Sequence, residues 1–170
     1  MLIMVSGLPG TGKSYFASRL SQRLGAVYIN SDAVRRELGA MGKYTDEVKY
    51  TVYEEMFHRC KIALKAGKCV VADATFHKKK NREAFILWTR NNNIPIIILE
   101  VFASEEIIRK RLSKPRTYSE ADWDVYLKLK DEREPFEVKH QKLESSSNNI
   151  NFMLEKAHHI IEASHEYKAN

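Results

Sequence analysis

The chain has 170 residues, of which 44% are hydrophobic and 29% are charged, and its formal net charge is +6 at pH 7. This balance is typical of a globular protein, excludes a disordered or fibrous chain, and predicts one domain over residues 1–170. No apolar run is long enough to cross a bilayer, so we expect no membrane partner and a cytoplasmic location. The only cysteines, Cys60 and Cys69, form no CxxC pair. Neither a disulfide framework nor a zinc site is therefore predicted.

Strand-like and helix-like patterns alternate from the first residue, which predicts an α/β fold with a parallel sheet of about five strands and helices on both faces. The first half predicts a strand at 2–6, a helix at 13–24 ended by Gly25, a strand at 26–29, a short helix at 33–38 capped by Asp32, and a long helix between Thr45 and Gly67. The second half predicts a strand at 69–72, a helix at about 81–90, a strand at 96–102, a helix from Ser104 to Pro115, a helix from Ser119 to Pro135, a strand at 141–144 and a helix at 150–167.

The segment between the first strand and the first helix matches the pattern GxxxxGK[ST] in full. Its residues are Gly7, Leu8, Pro9, Gly10, Thr11, Gly12, Lys13 and Ser14. The glycines let backbone N–H groups surround a phosphate, and the helix N-terminus adds partial positive charge. Lys13 would reach the β- and γ-phosphates of ATP, and the Ser14 hydroxyl would bind Mg²⁺. Because strand, lysine and serine accompany the glycines, the segment predicts a site for ATP and magnesium and not a chance glycine turn.

Two acidic residues are expected at the same edge of the sheet as this loop. Asp73 closes the apolar run at 69–72, where α/β sheets bind ligands, and would hold the magnesium shell or the incoming hydroxyl. The alternative is that Asp73 caps the turn at Thr75. Asp32 follows the second strand and would deprotonate an acceptor hydroxyl. Its local sequence equally fits a helix cap that forms a surface ion pair with Arg35, one helical turn on.

Four segments carry a family resemblance that spans nearly the whole chain. They are Gly-Leu-Pro-Gly-Thr-Gly-Lys-Ser at 7–14, Ile-Asn-Ser-Asp at 29–32 with Arg35, Val-Ala-Asp-Ala-Thr at 71–75 and Ser-Glu-Ala-Asp-Trp at 119–123. Together they resemble the P-loop kinases that include polynucleotide 5′-hydroxyl kinases, with zeta-toxin kinases and chloramphenicol phosphotransferases as more distant relatives. The resemblance implies a P-loop NTPase fold and transfer of the ATP γ-phosphate to a hydroxyl. It also implies that Asp32 is the general base and that Arg35 binds the phosphate beside the acceptor hydroxyl.

The resemblance further implies a small helical lid, at about 109–134, whose basic residues contact the transferring phosphoryl group. Arg111 and Arg116 are the candidates, because Pro115 ends the helix and lets Arg116 fold over the site. Cations at a helix C-terminus would explain residues 109–114 equally well, but not Arg116 beyond the proline.

The acceptor stays open on sequence alone. A polynucleotide 5′ end or a nucleotide-like molecule is preferred, a sugar, antibiotic or metabolite is the main rival, and a switch or ATPase without an acceptor is a rival of another class. The basic run Lys78-Lys79-Lys80 would follow a nucleic-acid backbone or form a solvated helix edge. Cations are unfavourable in a first helical turn, so either the helix begins near Asn81 or an anion compensates them. Trp123 and Tyr126 are expected in core or lid packing.

Overall fold

The computed structural model describes residues 1–114 and 121–166. In chain order the elements of this part are β1 (Leu2–Ser6), α1 (Lys13–Leu24), β2 (Val27–Asn30), α2 (Ser31–Glu37), α3 (Asp46–Lys65), β3 (Val70–Ala74), α4 (Lys79–Asn91), β4 (Ile96–Phe102), α5 (Glu105–Leu112), α6 (Trp123–Asp131), β5 (Gln141–Glu144) and α7 (Ile150–Glu166). None of these helices is both long and apolar enough to span a membrane.

The strands of the described residues form one parallel five-stranded sheet with the order β2-β3-β1-β4-β5. The central strand β1 pairs with β3 on one side and β4 on the other, so that Ser6 lies opposite Ala74 and Glu100. The carboxyl ends of all the strands therefore meet at one edge, and the loop after β1 leaves the sheet at the middle of that edge. This confirms the predicted parallel sheet of about five strands.

Successive residues of the central strands face opposite helical layers. Leu2 and Met4 pack with α3 and α4, whereas Ile3 and Val5 pack with α1 and α7. Because helices cover both faces, these strands are apolar except at Ser6, Asp73 and Glu100 toward their carboxyl ends, and they show no alternation. In β3 the same two-residue period directs Val71 to the α1 face. Asp73, two residues further on, therefore lies on the face that also carries α1.

The edge of the sheet at which the carboxyl ends of the strands meet is called the ligand edge below. Two elements at this edge begin or end differently from the sequence prediction. The N-cap of α2 is Asn30, whose side chain accepts a hydrogen bond from the Ala33 N–H at 2.9 Å. The prediction that Asp32 caps this helix is therefore wrong, and Asp32 lies in its first turn. Strand β3 continues through Ala74 because it pairs with β1 and β2, so Asp73 lies inside the strand and does not cap a turn.

Helix α4 begins at Lys79, two residues before the predicted start at Asn81. The backbone N–H of Lys79 donates to the carboxylate of Glu134, which returns to this point from the segment after α6. Of the two predicted possibilities for the basic first turn, the second is confirmed: an anion of the protein compensates the lysines.

The predicted lid region packs directly on the phosphate loop. Leu8 is buried in a small cluster with Ile108 of α5 and Tyr126 of α6, and Trp123 lies at its border. The rings of Trp123 and Tyr126 stack with centroids 4.9 Å apart, which confirms their predicted packing role. Helix α5 ends at Leu112, and residues 115–120, including Pro115 and Arg116, lie outside the described residues.

Candidate functional site

The loop between β1 and α1 has the backbone conformation that its glycines predict. Gly10 and Gly12 have φ values of 81° and 86°, a region that residues with a side chain rarely adopt. The Thr11 hydroxyl donates to the Leu8 carbonyl at 2.8 Å and closes the loop from inside. Gly7, Leu8 and Pro9 are buried beneath it. The loop therefore leads into the N-terminus of α1 with its backbone available to a phosphate.

Arg111 fixes this loop to two other segments. Its Nη1 donates to the Gly10 carbonyl at 3.3 Å and to the Ser145 hydroxyl at 3.0 Å, and its Nη2 donates to the Ser146 carbonyl at 2.8 Å. A Cβ on Gly12 would lie 3.1 Å from the same Nη1 and 2.9 Å from the Ser145 oxygen, so only glycine fits there. Burial lowers the pKa of Arg111. The predicted lid arginine thus contacts the backbone of the phosphate loop in this conformation.

Lys13 and Ser14 are the first two residues of α1, and both are half-buried. Asp73 lies across from them on the adjacent strand and is fully buried. Its Oδ2 accepts hydrogen bonds from the Tyr28 hydroxyl at 2.7 Å and from the Asn30 amide at 2.6 Å. The Ser14 side chain lies near the same Tyr28 hydroxyl. The serine of the phosphate loop and the carboxylate of β3 therefore belong to one polar cluster.

The electrostatics of this cluster favour a cation. Burial, together with the negative charge of Asp73, raises the pKa of Tyr28, so the phenol stays protonated and donates to the carboxylate. The other carboxylate oxygen of Asp73, Oδ1, is buried and has no hydrogen-bond partner among the described residues. A buried carboxylate oxygen without a donor is costly unless a ligand or water completes it. Asp73 and Ser14 thus fit the Mg²⁺ that the motif implies.

The small number of oxygen ligands in this cluster is compatible with magnesium. The described residues contain no group of three or more His, Cys, Asp or Glu side chains able to hold a metal ion. Mg²⁺ commonly takes only one or two protein oxygens and completes its shell with water and substrate phosphates.

Sequence reasoning missed Tyr28 and Asn30 as partners of Asp73. The available signal was the two-residue spacing in β2, which places both side chains on one face of the strand.

The two candidate acceptor residues lie on α2, at the same edge of the sheet. Asp32 is half-buried in the first turn of that helix. Arg35 is 8% exposed, and its Nη1 donates to the Lys43 carbonyl at 2.7 Å while its guanidinium lies over the Tyr44 ring at 4.7 Å. Its Nε is buried without a partner among the described residues. Arg35 is therefore an interior residue. Its side chain does not lie at the surface, where the expected ion pair with Asp32 would place it.

A second polar network follows Asp73 and was not predicted. Phe76 is buried with φ 47°, a strained conformation for a residue with a side chain. Its N–H donates to the Tyr53 hydroxyl at 3.1 Å, and that hydroxyl lies 3.2 Å from the Thr75 hydroxyl. Arg82, 2% exposed, donates to the carbonyls of Phe76, His77, Glu134 and Pro135. These bonds hold the β3-α4 loop in its strained path.

The fold and the phosphate loop together define the class: this is a P-loop NTPase fold, with the GxxxxGKS loop between the central strand and the first helix. The chain belongs to the AAA domain family, whose match covers residues 2–136. Among curated proteins, the uncharacterized protein Rv2004c of Mycobacterium tuberculosis is 27% identical over 123 residues, 65% of this chain and 25% of that protein. The chain thus spans about a quarter of the length of the curated relatives it matches.

Solved structures share the fold at lower identity. Kti12 of Chaetomium thermophilum in complex with ADP-AlF3 has a TM-score of 0.74 at 17% identity, with 96% of this chain and 98% of that chain covered. The APS kinase CysC of Mycobacterium tuberculosis in complex with AMPPNP and APS has a TM-score of 0.73 at 14% identity, with 95% and 96% covered. These similarities confirm the predicted P-loop NTPase fold.

Proposed function

We propose that the chain is a magnesium-dependent kinase that transfers the γ-phosphate of ATP to a hydroxyl acceptor. The observation that carries the proposal is the cluster at the sheet edge. Ser14 of a complete phosphate loop lies near Tyr28, and Tyr28 donates to a buried Asp73 whose Oδ1 has no hydrogen-bond partner among the described residues. A loop that only bound phosphate would not need a buried carboxylate, which repels anions unless a cation lies between them. The bound nucleotides of Kti12 and the APS kinase agree with this assignment.

Each residue of the cluster has a defined task in this reaction. The loop amides and Lys13 bind the β- and γ-phosphates and stabilise the charge that moves between them during transfer. Ser14 would bind Mg²⁺ directly, and Asp73 would hold water of its shell; the ion would neutralise phosphate oxygens. Tyr28 and Asn30 keep the Asp73 carboxylate in one orientation.

The acceptor side would be served by α2 and by the lid region. Asp32 would take the proton of the attacking hydroxyl. Arg35 would bind an oxygen of the phosphate beside it through its Nε, which has no hydrogen-bond partner within residues 1–114 and 121–166. Arg111 would bring its charge to the γ-phosphoryl group when the lid region closes, together with Arg116 from outside the described residues. These roles come from the family resemblance, and the positions of Asp32, Arg35 and Arg111 at the ligand edge support them.

For the acceptor we propose a polynucleotide 5′-hydroxyl or a nucleotide-like molecule, because Asp32-x-x-Arg35 and Asp73-Ala74-Thr75 follow the pattern of the polynucleotide kinases. The main alternative is a small-molecule kinase, which the fold similarity to the APS kinase favours. A nucleotide-dependent switch or an ATPase without an acceptor is the alternative of another class.

Transfer from radiolabelled ATP tests the proposal. The chain would be incubated with Mg²⁺ and, separately, with 5′-hydroxyl oligonucleotides, nucleosides, sugars and other hydroxyl metabolites. We expect labelled product in one acceptor class and at least a hundredfold loss in Lys13→Ala, which should stay folded because Lys13 lies on the ligand loop. Release of labelled phosphate with no labelled acceptor would instead identify an ATPase or a switch. Normal transfer by Lys13→Ala would refute the site itself.

A further inference from the structure

A narrow cleft lies between the N-terminal ends of α3 and α4, beyond Asp73 along the chain. The residues that line it are Asp46, Lys49, Tyr50, His77, Lys78, Lys80 and Asn81. None of them has a task in the transfer chemistry proposed above. The cleft is therefore a feature that the phosphate loop does not explain.

Three lysines of this cleft converge although they come from two helices. Lys49, Lys78 and Lys80 all line the cleft, and the exposed Asp46 carboxylate, whose pKa they lower, lies 3.5 Å from Lys49 Nζ. Lys79, between the latter two in sequence, points elsewhere, because its Nζ lies 2.6 Å from the Glu137 carboxylate. Lys78 and Lys80 of the basic run thus face the cleft, whereas Lys79 between them does not. This placement raises the positive potential where the two helix N-termini add to it.

His77 presents a hydrogen-bond donor to the same cleft. The residue is 4% exposed, and its Nε2 has no hydrogen-bond partner among the described residues. Its Nδ1 lies 3.3 Å from the Thr75 hydroxyl, which in turn lies 3.2 Å from the Tyr53 hydroxyl. In the arrangement in which Tyr53 donates to Thr75 and Thr75 donates to Nδ1, both distances are satisfied. Neutral His77 then carries its proton on Nε2, as a donor without an acceptor among the described residues.

A carboxylate of the protein already lies at the rim of the cleft. Glu132 Oε2 is 3.5 Å from Lys78 Nζ and 3.8 Å from His77 Nε2. The first distance is that of an ion pair, and the second is too long for a hydrogen bond to the neutral histidine. Glu132 is the C-cap of α6 and belongs to the predicted lid region. The rim of the cleft thus attracts an anion, and Glu132 fills that position incompletely.

We infer that the mouth of this cleft binds a phosphate or a similar tetrahedral oxyanion carried by the acceptor, with His77 Nε2, Lys78 and Lys80 as its donors, because Lys49 already pairs with Asp46. This inference rests on the proposed kinase function, because only a kinase would bind this molecule as a phosphate acceptor. His77 is four residues beyond Asp73, so their Cα atoms are at most about 14 Å apart. The cleft is therefore close enough to Asp73 for one acceptor molecule to extend from the phosphate site to the cleft. A nucleic-acid backbone and a small phosphate ester share this chemistry.

Inorganic phosphate is the first probe, added to the full chain saturated with Mg²⁺ and AMPPNP so that the phosphate loop is occupied. Binding is followed through the ¹H–¹⁵N NMR signal of His77 Nε2, assigned with His77→Gln. We expect the double variant Lys78→Ala/Lys80→Ala to bind phosphate at least tenfold more weakly than wild type. Lys65→Ala/Lys68→Ala removes the same charge from exposed positions near the end of α3 and should change affinity less than twofold. Equal losses in the two pairs would overturn the inference, because net charge alone would then explain binding.

Glu132→Gln provides a test of opposite sign. Removing the negative charge that faces Lys78 and His77 should strengthen phosphate binding several-fold, because all the proposed donors stay in place. Unchanged or weaker binding would contradict the assignment of this rim as the anion position. Stronger phosphate binding by this variant and weaker binding by the lysine double variant cannot both arise from partial unfolding.

Two acceptor series then identify the source of the phosphate. One series compares 5′-hydroxyl oligonucleotides with nucleosides, and the other compares phosphorylated sugars with the free sugars. In the productive series the lysine pair should raise KM at least tenfold with little effect on kcat. If no acceptor is phosphorylated, the kinase proposal fails while the phosphate titration still decides whether the cleft binds anions. If transfer occurs and the lysine pair behaves like its control, the cleft inference alone fails.

Discussion

The Tyr28 hydroxyl donates to Asp73 Oδ2 at 2.7 Å. With the second bond from Asn30, this contact engages one carboxylate oxygen, and Oδ1 has no hydrogen-bond partner in the described part of the chain. The orientation of Asp73 is therefore fixed by β2, a neighbouring strand, before any ligand binds. Partners of this kind around a metal-binding residue usually determine metal affinity as much as the residue itself.

Tyr28→Phe removes this hydrogen bond and keeps the ring. We expect the Mg²⁺ concentration needed for half-maximal turnover to rise about tenfold, because the carboxylate loses one of its two orienting donors. Mg²⁺ titrations of transfer activity, or of AMPPNP binding, measure the shift. Tyr15→Phe is the matched control, since that tyrosine is 55% exposed on α1. An unchanged Mg²⁺ requirement in Tyr28→Phe would separate Asp73 from the metal.

Asp32→Asn tests the proton acceptor. The variant should bind ATP normally and lose about two orders of magnitude in transfer, the usual contribution of a general base. Glu37→Gln, the same change of a carboxylate on the same helix, is the control and should stay near wild type, because Glu37 pairs with Arg59 at the surface. Measuring the ATP dissociation constant beside kcat is essential. A parallel loss of ATP affinity would make Asp32 a ligand of the nucleotide or its metal.

Arg111 distinguishes catalysis from loop support. If closure brings its guanidinium to the phosphoryl group, Arg111→Ala should lower kcat more than it weakens ATP binding. Arg111→Lys should restore little, because one ammonium cannot replace two nitrogens that reach Gly10, Ser145 and Ser146. Arg109→Ala, which removes a contact with the Trp123 ring, is the control from the same helix. Equal losses of kcat and ATP affinity would show that Arg111 acts only by shaping the loop.

The sequence predicted features that depend on local pattern. The GxxxxGKS loop, the strands at 2–6, 96–102 and 141–144, and the caps Thr45 and Ser104 are set by neighbouring residues, and all are present. Gly25 ends α1 in the left-handed conformation, as predicted. Each of these signals is contained within a few residues, which is why a single sequence was enough to identify them.

Features that depend on the register between distant segments were not predictable. Tyr28 and Asn30 reach Asp73 because β2 pairs with β3 in one register, which brings together residues more than 40 positions apart. Arg82 looks like an exposed residue of a polar helix, yet it is buried and donates to carbonyls on both sides of the β3-α4 loop. Such contacts follow from tertiary packing, for which the local pattern holds no signal.

His77 makes the stability of the protein depend on pH. Burial, with a smaller contribution from the Lys78 charge, lowers its pKa from 6.5 to about 4, although the Glu132 carboxylate acts in the opposite direction. In the unfolded chain the same histidine has its ordinary pKa and binds a proton more readily. Between these two pKa values the unfolded state therefore holds more protons than the folded state, and the free energy of unfolding rises with pH.

The contribution of His77 to stability is thus fully present above pH 6.5 and is lost as the pH falls toward about 4. A shift of this size corresponds to about 3 kcal/mol at most. Urea unfolding at several pH values between 4 and 7 should show this loss in wild type and a flatter dependence in His77→Gln, which has no titrating group at this position. His58→Gln, at an exposed position of α3, should keep the wild-type slope. If His77→Gln loses stability on acidification as steeply as wild type, His77 is not held neutral by its surroundings, and its Nε2 is not the fixed donor that the cleft requires.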